Sequence, residues 1–122
     1  MHNRVEIARE FAEAIKSDYI IKIILFGSVA RGDDTEESDI DILIVSNYRE
    51  KIEDIIAEEV AWIMYDKNEL ISAYIMSEDL FIDFYLMFVS FGKIILGQLC
   101  SFEHKYYPSY PRLSYRFIFF VL

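Results

Sequence analysis

Apolar positions recur at intervals of three and four over residues 4–17, where Val5, Ala8, Phe11, Ala12 and Ile15 share one side of a helix. The spacing predicts an amphipathic helix that starts near His2 or Asn3, with Glu6 in its first turn to suit the helix dipole. The period then changes. Residues 20–26, Ile-Ile-Lys-Ile-Ile-Leu-Phe, are dense in β-branched side chains and apolar on both faces, which predicts a central or nearly central strand. Gly27-Ser28 ends it, and residues 29–38 read as a short helical piece and a polar loop. Residues 39–45, Asp-Ile-Asp-Ile-Leu-Ile-Val, alternate at their start and predict a second strand. A longer amphipathic helix over 49–66 directs Ile52, Ile55, Ile56, Val60, Ile63 and Met64 inward. Residues 70–76, Leu-Ile-Ser-Ala-Tyr-Ile-Met, form a third strand. Ser77, followed by Glu78 and Asp79, caps a helix over 78–96 that Gly97 stops.

Residues 80–99 are apolar nearly all round, but Asp83 and Lys93 interrupt them, so they fall short of an uncharged membrane-spanning run. A helix packed on the sheet on one side and on a partner on the other accounts better for this pattern. Residues 101–122 carry Pro108 and Pro111 in a tyrosine-rich loop and end on the wholly apolar Phe117 to Leu122. We read 1–100 as the domain and 101–122 as an aromatic C-terminal extension, either an edge strand or a docking tail. The start of the chain shows no secretory signal pattern.

Composition sharpens this picture. With 122 residues, of which 54% are hydrophobic, the chain has ample apolar material for one globular core and is not disordered. Its net charge of -9 argues against binding bare nucleic acid through overall charge, though not against a nucleotide whose phosphates arrive with metal ions. The charge is uneven: residues 1–70 hold 17 acidic and 8 basic residues, whereas 71–122 hold 4 of each and most of the aromatics. The lone Cys100 forms no intrachain disulfide, and His2 and His104 lie too far apart in sequence to complete a zinc cluster with it. A reducing, cytoplasmic setting is the default.

The chemistry concentrates in residues 27–41. Asp39 and Asp41 are two apart on a strand, so their side chains share a face. Carboxylates so close repel unless a cation lies between them, and hard oxygen donors suit Mg²⁺. Solvated aspartates at a loop-to-strand junction are the plain alternative. Gly27-Ser28 follows a hydrophobic strand and precedes a short helix, where a glycine lets backbone amides approach a phosphate and the serine adds a hydroxyl. An ordinary strand-ending turn has the same look. Arg31 either braces a phosphate or pairs with Asp33, Asp34 or Asp41.

Taken together, Gly27-Ser28-Val29-Ala30-Arg31-Gly32 and Asp39-Ile40-Asp41-Ile42-Leu43-Ile44-Val45, with ten residues, Val29 to Ser38, between Gly27-Ser28 and Asp39, resemble the signature of the polymerase-beta-like nucleotidyltransferases, and most closely their minimal subgroup. The resemblance is sharp over 20–45, compatible in element order over about 1–96, and does not extend to the tail. It implies an α+β (mixed α/β) fold, with a short mixed β-sheet flanked by helices. It implies ATP as substrate with Mg²⁺, Asp39 and Asp41 as catalytic metal ligands, and Gly27 and Ser28 on the outer phosphates. It also implies transfer of a nucleotidyl group to a hydroxyl, with loss of pyrophosphate. Fully equipped members carry a third carboxylate on the following strand. Here that strand, 70–76, has none; Asp83, in an Ile-Asp-Phe context, is the first substitute and Glu69 a weaker one. Taking Asp83 would make 81–88 the third strand, and 70–76 fits better.

Other residues read more simply. Ser46, Asn47 and Tyr48, with Arg49 and Lys51 behind them, suggest a helix cap, and Trp62 and Tyr65 suggest packing. Tyr106, Tyr107, Tyr110, Arg112 and Arg116 only superficially resemble an aromatic-basic nucleic-acid surface. The chain has room for little beyond the core, so the acceptor is expected to be bound mostly by another chain. In the minimal subgroup this partner is a small helical (HEPN-type) toxin, adenylylated on a tyrosine by its antitoxin. The aromatic second part independently suggests a protein interface, and fits a homo-oligomer equally well. Two other functions stay open: a weakly active or inactive antitoxin that neutralises by binding, and a transferase for a small molecule or RNA end.

Overall fold

The computed structural model describes residues 3–95 and 120–121, with side chains placed over 3–86. In chain order the elements are α1 (Arg4–Ile15), β1 (Lys22–Phe26), α2 (Gly27–Arg31), β2 (Ile40–Val45), α3 (Arg49–Lys67), β3 (Ile71–Met76), α4 (Glu78–Ile95) and β4 (Phe120–Val121). The strands lie side by side as β3-β2-β1-β4. β1 runs antiparallel to β2 and to β4, and β3 runs parallel to β2 after the α3 crossover. This is the mixed α+β arrangement that the sequence predicts. Of the aromatic extension, residues 120–121 pair with Ile24 and Leu25. Phe117, Pro108, Pro111 and the tyrosines between lie outside the described residues.

Strand parity sorts the sheet into two faces. Ile23 and Leu25 of β1, Ile40, Ile42 and Ile44 of β2 and Ile71 of β3 join one core with Ile7, Ala8, Phe11, Ala12 and Ile15 of α1 and Ile52, Ile56 and Ile63 of α3. The alternate positions, Phe26, Asp39, Asp41, Leu43, Ser72 and Tyr74, point to the opposite face. Asp41 stands directly between Phe26 on β1 and Ser72 on β3. The core therefore anchors β2 by its isoleucines and presents its aspartates on the other side.

Helix ends follow local chemistry. Asn3 caps α1 by accepting the Glu6 N–H at 3.3 Å. Asn68, in the left-handed region with φ 54°, closes α3 by donating its N–H to the Met64 carbonyl. The inward face of α3 is narrower than the sequence suggests. Ile52, Ile56 and Ile63 are buried, but Ile55 and Met64 are 48% and 41% exposed. At 3.6 residues per turn those two sit about 60° and 120° from Ile52 around the axis, on opposite borders of the stripe. Trp62 and Tyr65, expected to pack, are instead 58% and 83% exposed, with ring centroids 6.0 Å apart. Among the described residues no helix is long and apolar enough to cross a membrane.

Candidate active site

The turn from β1 into α2 sets the site. Gly27 has φ 75°, a conformation that favours glycine. A Cβ there would collide with Asp41 Oδ2 and lie 3.1 Å from its Cγ. Gly27 thus meets two demands at once, a left-handed backbone and a carboxylate pressed against it. Ser28 follows in the first turn of α2, whose amino end has no side-chain cap. Gly32, at φ 82°, closes the same turn, donating its N–H to the Ser28 carbonyl at 2.9 Å.

Asp39 and Asp41 are both half-buried. Asp39 Oδ2 accepts a hydrogen bond from Ser72 Oγ at 2.9 Å. Burial, and then the charge of Asp39, push the Asp41 carboxyl above its ordinary pKa, and the charge of Arg31 opposes them. Arg31 itself pairs with Asp33 at 3.3 Å, both side chains largely exposed, so this is a weak surface pair.

The structure separates the substitutes for a third carboxylate from this pair. The third strand is 71–76, so Asp83 is an exposed residue of α4 and not part of the sheet. Glu69 is committed to Arg4, at 3.1 Å. Among the described residues no three His, Cys, Asp or Glu side chains converge as a metal cluster. The donor set still fits Mg²⁺, which commonly takes one or two carboxylates and completes its shell with substrate phosphates and water. Asp39 Oδ1 and both oxygens of Asp41 accept no hydrogen bond among the described residues.

Two participants, Ser72 and Arg4, escaped the sequence reading, and two others were assigned to the wrong helix end. Ser72 was legible only as a polar residue in an apolar strand. Arg4 is a nearly buried clamp: Nη1 reaches Asp34 at 3.1 Å and the Thr35 carbonyl, Nη2 the Glu36 carbonyl at 3.0 Å, and Nε Glu69. It thereby ties α1 to the loop that leads into Asp39. Its signal was a cation in the first turn of a helix, where the dipole disfavours one unless anions surround it. Ser46 and Asn47 do not cap α3. Ser46, buried, donates to the Tyr19 carbonyl at 2.6 Å, and Asn47 accepts the Glu78 N–H at the start of α4.

The chain is similar to known proteins over the span that carries these residues. Residues 8–87, about two thirds of the chain, match the family described as Nucleotidyltransferase domain. Three proteins of Methanocaldococcus jannaschii are similar to the chain. Putative protein adenylyltransferase MJ0604 is 45% identical over 82 residues, covering 65% of this chain and 79% of that protein. Putative protein adenylyltransferase MJ0141 is 50% identical over 44 residues, 34% of this chain and 44% of that protein. Putative protein adenylyltransferase MJ1379 is 55% identical over 40 residues, 32% of this chain and 40% of that protein. No solved structure matches the chain. The matched span runs from α1 into α4 and takes in the whole carboxylate face, so the chain belongs to the nucleotidyltransferase domain family.

Proposed function

We propose that this nucleotidyltransferase is an Mg²⁺-dependent protein adenylyltransferase that moves AMP from ATP to a tyrosine of a helical partner toxin, and so serves as its antitoxin. The observation that carries the reading is the single face on which Asp39 and Asp41 stand, with Gly27 packed against Asp41. Asp39 and Asp41 would hold Mg²⁺, which would neutralise charge on the transferring phosphorus and the leaving pyrophosphate. Gly27 and Ser28 bring the uncapped start of α2 to the outer phosphates, where N–H groups favour anions. The acceptor oxygen attacks the α-phosphorus, the bond from that phosphorus to the oxygen bridging to the β-phosphate breaks, and the hydroxyl proton passes to solvent.

The same geometry supports a tyrosine acceptor. Beside Asp41 on β3 stands Ser72, which cannot take a proton as a carboxylate would. A phenol, with a pKa of about 10, needs less help to ionise than an aliphatic alcohol. The printed names of the relatives support a protein acceptor. Exposed Trp62, Met64 and Tyr65 on α3, a helix with six acidic and three basic residues, favour a protein over a nucleic-acid partner.

Ser72 also favours a second reading, a binder that neutralises its partner without transfer. Mass spectrometry of the co-expressed partner separates the two. AMP additions that vanish with Asp39→Asn and Asp41→Asn support the enzyme. An unmodified but neutralised partner, insensitive to both substitutions, supports the binder.

A further inference from the structure

Position 72 is the place on β3 that lies directly beside Asp41, and its side chain reaches Asp39. The chain puts an uncharged donor there. A hydroxyl at 2.9 Å from Asp39 Oδ2 does two things that a carboxylate could not. It donates a hydrogen bond to the aspartate, fixing its rotation and leaving Oδ1 without a bond among the described residues. It also adds no charge, so among the described residues the face holds two carboxylates rather than three.

Two carboxylates are a sparse donor set for a divalent cation, which needs about six oxygens. The rest must come from the nucleotide and water. Resting on the adenylyltransferase reading above, we propose that Ser72 is a positioning residue: it holds Asp39 in place for the cation and keeps the site at two carboxylates, so that cation and triphosphate are bound only together. A cation alone would find too few ligands, and a triphosphate alone would face two uncompensated carboxylates. Joint arrival meets both needs.

The test uses Mn²⁺ as a spectroscopic probe, followed by electron paramagnetic resonance with and without a non-hydrolysable ATP analogue. The full chain should bind Mn²⁺ far more tightly with the analogue than without it. Ser72→Ala should weaken the joint complex about tenfold, the usual cost of losing a hydrogen bond to a metal ligand, with the melting temperature little changed. Ser72→Thr, which keeps the hydroxyl, should restore it. Ser72→Asp should create Mn²⁺ binding that no longer needs the nucleotide. Should Ser72→Ala fold poorly, Ser72→Cys, a near-isostere with a weak donor, gives the same reading. Joint affinity unchanged in the folded Ala or Cys variant would overturn the proposal, as would wild-type Mn²⁺ binding indifferent to nucleotide. Asp39→Asn and Asp41→Asn tell the two levels apart. If they abolish binding while Ser72→Ala does not, only the role of Ser72 falls. If they too leave binding intact, the metal–nucleotide reading itself falls.

Discussion

Gly27→Ala should damage the site more than the fold. Two costs add. Placing alanine at φ 75° costs about 1–2 kcal/mol of backbone strain. The new methyl would overlap Asp41 Oδ2 and crowd its Cγ at 3.1 Å. The nearest atoms to that methyl all belong to the Asp41 side chain, so Asp41 must turn away, and a side chain forced about 30° off its rotamer costs about 0.5–1.5 kcal/mol. The sum is about 1.5–3.5 kcal/mol, which urea denaturation resolves easily. Gly32→Ala is the control. It carries a similar backbone strain, with φ 82°, on the far side of α2. We expect both variants to lose comparable backbone stability, and Gly27→Ala alone to lose MgATP binding, measured by calorimetry, by tenfold or more. Equal MgATP affinity in the two variants would refute the claim that Gly27 is glycine for the sake of Asp41.

Other perturbations follow from the same contacts. Arg4→Ala strips a clamp whose side chain is 12% exposed and leaves Glu69, at 13%, without its partner; a loss of about 3 kcal/mol in denaturant titration is expected, against almost none for the exposed Arg9→Ala. Because the folded state holds the Asp41 proton more tightly than the unfolded chain does, the charged carboxylate destabilises the metal-free protein above that raised pKa. Asp41→Asn should therefore melt no lower than wild type at pH 7 without metal. The difference should shrink as pH falls through the interval between the raised and the ordinary value, and a clear drop in melting temperature at pH 7 would contradict it. Trp62→Ala and Tyr65→Ala should change stability by less than about 0.5 kcal/mol, as exposed substitutions do. If α3 meets the partner, they should still weaken that complex, as native gels or calorimetry would record.

The fold was legible because periodicity and parity are local properties. The β-branched run in 20–26 and the alternation in 39–45 gave β1 and β2 nearly to the residue. Parity alone put Asp39 and Asp41 on one face, opposite Ile40, Ile42 and Ile44. The turn residues carried Gly27 as a special backbone position. What stayed hidden depends on contacts between distant parts of the chain. Arg4 and Glu69 are 65 positions apart, and Ser72 and Asp39 are 33. No spacing rule links them, because the sheet register that joins Ser72 to the site exists only once α3 has crossed over. Asn47 is the intermediate case. It was rightly read as a cap, but for the wrong helix, since a side chain at the end of a strand can reach either neighbour.

Those hidden contacts bear on the chemistry through the placement of the positive charges. Among the described residues, Arg4, Arg9, Lys16, Arg31, Arg49 and Lys67 are each committed to an acidic side chain other than Asp39 or Asp41. Lys22 lies 5.8 Å from the Phe81 ring centroid. Among the described residues no ion pair forms to Asp39 or Asp41, and Arg31 acts on Asp41 only as a neighbouring charge. A structural carboxylate pair would gain from a lysine or arginine placed against it, yet Arg31, the cation that acts on Asp41, pairs with Asp33. Burial, and then the neighbouring charge of Asp39, disfavour the ionised Asp41 carboxyl in the metal-free protein. On the function proposed above, a divalent cation and a triphosphate entering together would offset that charge, so the counter-charge of Asp39 and Asp41 would come with the substrate.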